Sequence, residues 1–237
     1  ATDGSSGVNW VHPDYSLWWV LGLWQHYAYT GEDRWIHEHY PQAVRVFQHF
    51  LPYVNDRGLI ENSPNRVFSD WANVDRRGEC AALNATFYGA INKQKKMAEI
   101  KGDHYLIDKF TDLQNATRAS FQPRFFDPQR GAFADCRIDG DYSPRTSEHA
   151  NMAAVCWDLC DANTAETVID RLYIKKDLTY TEAQPFFTSV ILQALDRAGR
   201  FDLALDIIDD RWGKRMVARG HTSTVEEWTT NGTWRTG

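Results

Sequence analysis

The stretch Pro-Asp-Tyr-Ser-Leu-Trp-Trp-Val-Leu-Gly-Leu-Trp-Gln-His-Tyr-Ala-Tyr-Thr-Gly, residues 13–31, decides the fold class. Its apolar side chains recur every three to four residues, which is the period of an amphipathic α-helix. Asp14 follows Pro13, where an acidic side chain can cap the helix, and Gly31 is a stop signal. We therefore predict a helix from Asp14 to Thr30.

The same periodicity recurs in paired blocks along the chain. Seven further helices are predicted at 33–54, 79–101, 105–121, 147–160, 164–172, 184–198 and 201–212. Pro41 should kink or break the first of these, because proline lacks the backbone N–H of a helix interior. Tight turns alternate with longer loops, and little of the chain has the strand period. We predict an all-α fold, a toroid of helical hairpins forming a single domain over 1–237, with an irregular helical bundle as the alternative.

Composition excludes several classes of function. The net charge of −6 provides no basic stripe for nucleic acid. No apolar run reaches membrane-spanning length, so no membrane partner is expected. The four cysteines lack further ligands at metal-binding spacing, which predicts structural thiols and neither metal nor cofactor. A soluble bacterial protein is expected, and cytoplasmic and secreted or periplasmic locations both stay open.

The aromatic content points toward carbohydrate. Ten Trp, ten Tyr and twelve Phe exceed what a core of this size usually needs. Aromatic faces pack on the CH faces of pyranose rings, although a large aromatic core would give the same composition.

The stretch His-Thr-Ser-Thr-Val-Glu-Glu-Trp, residues 221–228, holds the strongest chemical signal. Its two carboxylates, Glu226 and Glu227, stand beside Trp228, and carboxylates flanked by aromatics are typical of sites that cleave glycosidic bonds. The alternative is that both glutamates are solvated charges and Trp228 is a packing residue.

Other loops carry weaker candidates. In the loop Trp10–Tyr15, Asp14 either caps the first helix or faces a cleft. Asp70 and Trp71 could combine a hydroxyl acceptor with a sugar platform, or Asp70 could pair with an arginine while Trp71 fills the core. Glu79 is expected to be a first-turn charge, and His149 a structural histidine behind an N-cap at Ser147.

Three groups of residues occur in an order that is typical of one known family. The first joins residues 13–19 to the Tyr-Thr-Gly-Glu-Asp turn at 29–33, and the second is Ser69-Asp70-Trp71 with Asn84 on the next helix. The third runs from Gly220 to Trp228. Together they resemble the catalytic domain of the bacterial α-L-rhamnosidases, six-hairpin glycosidases with an (α/α)6 barrel. The third group is similar to that family's Gly-x-Thr-Thr-x-Trp-Glu-x-Trp motif, with Val225 in place of its first Trp.

The resemblance implies an inverting hydrolase of terminal α-L-rhamnosyl residues in a rhamnose-containing glycoside or oligosaccharide. One carboxylic acid would protonate the leaving oxygen, and a distant carboxylate would activate water. Matching positions make Glu226 the general base and leave Glu227 outside the site. The implied substrate-binding residues are Asp14, Asp70, Trp71 and Trp228.

The resemblance also implies parts that this sequence does not display. The family's general acid lies in an Asp-x-x-x-x-Glu segment, and none precedes Trp10. Eight predicted helices stand against the twelve of the family's barrel. We therefore expect an incomplete toroid, the remainder of the parent catalytic domain as its partner, and little or no activity in the isolated chain.

Two alternative functions remain open at this point. Another hairpin-toroid carbohydrate enzyme, such as an unsaturated uronyl hydrolase, would need cationic or hydrogen-bonding groups for a uronate carboxylate. A non-catalytic carbohydrate-binding barrel would keep the aromatic cleft and lack the second carboxylate.

Overall fold

The structure is a computed structural model, and it describes residues 11–63 and 65–228. Within these residues eight α-helices follow one another, and the predicted all-α class is confirmed. They are α1 Pro13–Thr30, α2 Arg34–Phe50, α3 Ala81–Lys101, α4 His104–Phe125, α5 Glu148–Cys156, α6 Ala162–Ile169, α7 Pro185–Arg197 and α8 Phe201–Ile208.

The helices pair into hairpins whose odd-numbered members form an inner row. In that row α1 packs on α3, α3 on α5 and α5 on α7, while each even-numbered helix packs on its own predecessor. Accordingly, α5 is buried from Glu148 to Val155, and α3 is buried without interruption from Ala81 to Ile91. Helices buried on all sides belong inside, whereas α2 carries a single apolar face toward its neighbours. This is the hairpin architecture predicted from the sequence.

Several helix ends differ from the predictions. Helix α2 continues through Pro41 and ends at Phe50, where a 3₁₀ turn, Leu51–Tyr53, follows. Pro41 is exposed, so water can bind the carbonyl group that proline leaves without a donor, and the predicted break does not occur. Helices α6 and α8 each continue as π-helix, over Asp170–Ile174 and Asp209–Lys214.

Short antiparallel strands connect the loops that precede the inner helices. They are β1 Glu79–Cys80, β2 Phe126–Asp127, β3 Ala132–Phe133, β4 Cys136–Ile138 and β5 Asp141–Tyr142. One sheet has the order β1-β4-β5 and the other joins β2 to β3. Because β1 pairs with β4 through Cys80 and Cys136, the loop before α3 is fixed to the loop before α5.

The buried apolar side chains form two large clusters. One is centred on α5 and α7 and the other on α1, α2 and α3, and the partly buried indoles of Trp18 and Trp157 pack against both. Within the described part of the chain, no helix combines the length and apolarity needed to cross a bilayer.

Candidate functional site

The longer loops come together near the first turns of α1, α5 and α7. Hydrogen bonds join Asp14 at the start of α1 to Ser69, and Asp70 to both His149 on α5 and Gln184 before α7. The segment 221–228 reaches the same place, since Trp228 bonds to Gln184. Residues far apart in the sequence therefore share one end of the hairpin stack.

Asp14 binds the backbone of the loop that precedes α3. Its side chain is 3% exposed, and its carboxylate accepts hydrogen bonds from the backbone N–H groups of Phe68 at 3.2 Å and Ser69 at 2.7 Å. Burial raises the pKa of Asp14, although these N–H groups oppose the shift. The capping alternative is wrong, because α1 begins after His12 and has no side-chain cap. Ser69 has φ 59°, a left-handed conformation that the Asp14 carboxylate holds in place.

Asp70 is a buried carboxylate with three donors. Its Oδ2 lies 2.7 Å from Nε2 of His149 and accepts the Gln184 N–H at 2.8 Å, and its Oδ1 accepts the Ala72 N–H at 2.8 Å. Burial works to raise the pKa of Asp70, but His149 and the backbone donors outweigh it and lower that pKa below its ordinary value. The partner of the Asp70 side chain is thus a histidine and not an arginine; Arg76 binds the Asp70 backbone carbonyl instead.

Glu226 and Trp71 meet at the mouth of a cavity. The indole Nε1–H of Trp71 donates a hydrogen bond of 3.1 Å to Oε2 of Glu226, whose side chain is exposed. The cavity has a volume of about 310 Å³, at the lower end of the range for ligand pockets. Its lining residues are Tyr15, Phe68, Asp70, Trp71, Pro185, Phe186, Trp212, Thr224, Val225 and Glu226.

Aromatic rings form the walls of this cavity. Tyr15 stacks on Phe68 with ring centroids 5.9 Å apart and on Phe186 at 5.5 Å, while Phe68 and Trp71 meet edge to face at 4.9 Å. Burial, with the negative charges of Asp14, Glu226 and Asp70, raises the pKa of Tyr15 to about 12, so this phenol stays neutral.

The predicted site residues fall into two sets. Asp70, Trp71 and Glu226 line the cavity, whereas Asp14 and Trp228 lie behind its walls. Trp228 is 8% exposed, and it donates its backbone N–H to Oε1 of Gln184 at 2.7 Å and its Nε1–H to the Ala183 carbonyl at 2.9 Å. It therefore anchors the end of the motif that carries Glu226.

Several lining residues were missed by the sequence analysis. Tyr15 and Phe68 gave a usable signal, because each lies within two positions of a predicted carboxylate. Phe186 and Trp212 gave no such signal, since both lie in predicted helices where an aromatic residue is expected to pack in the core. Trp10, which was named with the first loop, lies outside the described residues.

Two glutamates near the starts of inner helices, Glu79 and Glu148, are buried ion-pair centres. The prediction for Glu79 is wrong: it lies on β1, fully buried, and binds Arg57, Arg124 and Asn55. Its arginine partners come from distant loops and helices, which local charge patterning cannot reveal. Glu148 accepts hydrogen bonds from Tyr173, Ala183 and Arg211, as Ser147 caps α5 beside it.

Metal-ligating side chains do not cluster in the described part of the chain, which contains no group of three His, Cys, Asp or Glu side chains that could hold a metal ion. All four cysteines are free thiols, and burial raises the pKa of each to about 12.

The fold and the ordered loop motifs correspond to one family of glycosidases. Residues 5–235 match the family described as the bacterial alpha-L-rhamnosidase 6 hairpin glycosidase domain, and the chain belongs to it. None of the curated proteins matches the chain significantly.

Solved structures of rhamnosidases have a similar fold. A GH78 family rhamnosidase of Bacillus sp. GL1 superposes with a TM-score of 0.84 at 22% identity, over 96% of this chain and 24% of its own. A rhamnosidase from Klebsiella oxytoca with rhamnose bound gives a TM-score of 0.79 at 18% identity, over 92% of this chain and 41% of its own. An alpha-L-rhamnosidase from Dictyoglomus thermophilum gives a TM-score of 0.70 at 19% identity, over 95% of this chain and 25% of its own. The chain thus spans less than half the length of each of these proteins.

Proposed function

We propose that this chain forms part of an inverting α-L-rhamnosidase-like glycoside hydrolase that removes terminal α-L-rhamnosyl residues. Two lines of support are its membership of the rhamnosidase domain family and the exposed carboxylate of Glu226 beside an aromatic cavity. The hydrogen bond between Trp71 and Glu226 is the observation that carries the proposal, because it holds a carboxylate at the edge of a sugar-sized space.

Glu226 acts as the general base. An exposed carboxylate can take a proton from a water molecule as that water attacks the anomeric carbon. The Trp71 N–H binds one carboxylate oxygen of Glu226, Oε2, and we assign the proton transfer to the other oxygen. Glu227 follows in the sequence but does not line the cavity, so we assign it no catalytic role.

The remaining predicted residues bind and support the sugar. Trp71 offers its ring face to the apolar side of the pyranose, and Asp70 accepts a sugar hydroxyl at the cavity wall. Asp14 acts through the backbone of residues 68 and 69, and Trp228 holds the end of the motif.

The general acid belongs to the remainder of the catalytic domain. Asp70 is the second carboxylate on the cavity wall, but its lowered pKa keeps it ionised, and a general acid must carry a proton at the working pH. The solved rhamnosidases are longer, since the chain covers 24–41% of them. We accordingly expect the isolated 237-residue chain to hydrolyse an aryl α-L-rhamnoside very slowly or not at all.

The direct test is Glu226→Gln in the active protein that contains this domain. Loss of the general base should lower kcat on an aryl α-L-rhamnoside by about 10²–10⁴-fold and change substrate binding little. Glu227→Gln is the matched control, with the same change of charge one residue away, and it should keep most of the activity. Wild-type turnover in Glu226→Gln would remove Glu226 from this role.

Two outcomes would favour the alternative functions. The described cavity lining includes no Lys or Arg, which argues against a uronate substrate. Turnover of unsaturated uronides and not of rhamnosides would reverse that argument.

A carbohydrate-binding barrel would bind L-rhamnose without turnover in the complete protein. Calorimetry would then detect binding of L-rhamnose, and the Trp71→Ala variant would bind more weakly.

A further inference from the structure

The segment that carries Glu226 has no regular secondary structure. Residues 221–228 follow the 3₁₀ turn Val217–Arg219 and contain neither helix nor strand. Backbone hydrogen bonds of a helix or sheet therefore do not fix the position of Glu226, and side chains from elsewhere must do so.

Gln184 contacts this segment and Asp70 at once. Its side-chain Oε1 accepts the Trp228 N–H at 2.7 Å, and its own backbone N–H donates to Oδ2 of Asp70 at 2.8 Å. The neighbouring Ala183 carbonyl accepts the Trp228 indole N–H, and the Ala183 N–H binds the buried carboxylate of Glu148. One dipeptide thus connects the two carboxylates of the cavity, Asp70 and Glu226, to a buried anchor.

Helix capping does not explain the glutamine. Gln184 occupies the N-cap position of α7, where Ser, Thr, Asp and Asn are favoured because their short side chains reach back to the first-turn N–H groups. The Gln184 side chain makes no such bond and is directed away from its own helix. Its length matches the distance to Trp228 instead.

We propose that Gln184 is a positioning residue that sets the distance between Asp70 and Glu226. It acts through Trp228, two residues beyond Glu226, and does not itself line the cavity. The inference rests on the proposed role of Glu226 as general base. A shift of the base by about 1 Å can reduce the rate about 10²-fold, so the effect belongs to kcat more than to KM.

The first test needs no activity. In the 237-residue chain, Gln184→Leu keeps the size of the side chain and removes the acceptor, and the Trp228 amide should exchange its hydrogen about five- to tenfold faster. Gln184→Glu restores an acceptor oxygen and should restore protection. Gln193→Leu is the matched control, since Gln193 lies exposed on the same helix and bonds only within it. Unchanged exchange in Gln184→Leu would overturn the proposal.

The second test uses the active protein that contains this domain. Gln184→Leu should lower kcat about tenfold to a hundredfold with KM changed less than about threefold, and Gln184→Glu should recover much of kcat. Should Gln184→Leu fail to fold, Gln184→Asn, which shortens the reach by one methylene, takes its place. Wild-type kcat in a folded variant refutes the positioning role. A wild-type protein that hydrolyses no rhamnoside refutes the proposed function, while the exchange result still decides whether Gln184 holds the segment.

Discussion

Asp70 is a carboxylate that stays ionised although it is almost wholly buried. Desolvation favours the protonated form, yet His149 and the N–H groups of Ala72 and Gln184 stabilise the charge more strongly and lower the pKa. The folded protein therefore binds fewer protons at this group than the unfolded chain does, between the folded pKa and the unfolded value of about 3.9. The stability that Asp70 contributes is present above the unfolded pKa and is lost as pH falls through the folded one.

The variant Asp70→Asn tests the direction of this pH dependence of stability. We expect the variant to be less stable than the wild type at pH 7, and we expect that difference to shrink as the pH is lowered below about 4, because the Asp70 carboxylate of the unfolded wild-type chain then takes up a proton that the folded protein does not yet bind. Urea unfolding followed by circular dichroism between pH 3 and pH 7 measures it. A difference that grows toward acid would contradict the assigned ionisation.

For individual residues, the sequence predicts those site residues that can be recognised from their immediate neighbours in the chain. Asp70, Trp71 and the pair of Glu226 and Glu227 were named from adjacent carboxylate and indole groups, and the family resemblance singled out Glu226. Asp70, Trp71 and Glu226 do line one cavity. The opposite wall could not be named, because Phe186 occupies an ordinary helical position and reaches the cavity only when α7 packs beside α1. The same limit explains the error at Glu79, whose arginines lie 22 and 45 residues away.

Among the helices, α1 and α3 each carry a glycine in their interior, and the two have opposite surroundings. Gly22 on α1 is exposed, and a methyl group there would meet no atom within 4 Å. Gly89 on α3 is buried, and a methyl group there would overlap the indole of Trp157. Trp157 in turn packs against both core clusters.

The pair Gly22→Ala and Gly89→Ala should therefore move stability in opposite directions. Gly22→Ala should add about 0.5–1 kcal/mol, since alanine reduces the conformational freedom of the unfolded chain. Gly89→Ala should cost about 1–3 kcal/mol, because the indole and the cores behind it must shift. Thermal unfolding of both variants against the wild type checks this, and stabilisation by Gly89→Ala would show that the indole moves freely.

Helix existence followed from the sequence, whereas helix ends did not. Apolar periodicity and the stops at Gly31, Gly102 and Gly199 are local signals, and each predicted helix is present. The π-helical continuations after α6 and α8 depend on tertiary partners such as Glu148, which binds Tyr173 in the first and Arg211 in the second. No sequence period encodes that dependence.

For the molecule as a whole, a buried ion pair connects distant parts of the stack. Arg211, after α8, lies 2.6 Å from Glu148 at the start of α5, and their side chains are 4% and 0% exposed. The Glu148 carboxylate also receives the Ala183 N–H, next to Gln184. This pair therefore stands directly behind the candidate site.

Arg211→Met should destabilise the protein by about 3–5 kcal/mol, because it leaves the Glu148 charge buried without its counter-ion. Lys214→Ala is the control: the ion pair of Lys214 with Asp209 is exposed on both sides, so the free energy of unfolding of this variant should stay close to that of the wild type. Denaturant unfolding of the two variants gives the comparison. Equal effects would mean that the buried pair contributes no more than a surface one.

The hydrogen bond between Trp71 and Glu226 joins residues 155 positions apart, and this separation has a consequence for biosynthesis. At roughly 5–20 residues per second, Glu226 leaves the ribosome about 8–30 s after Trp71. During that interval the inner helices can already pack, while the aromatic side chains around Tyr15 and Phe68 are not yet covered by the segment 221–228. The nascent chain therefore exposes these aromatic side chains before Glu226 is synthesised, and protection by a chaperone would be needed most in those seconds.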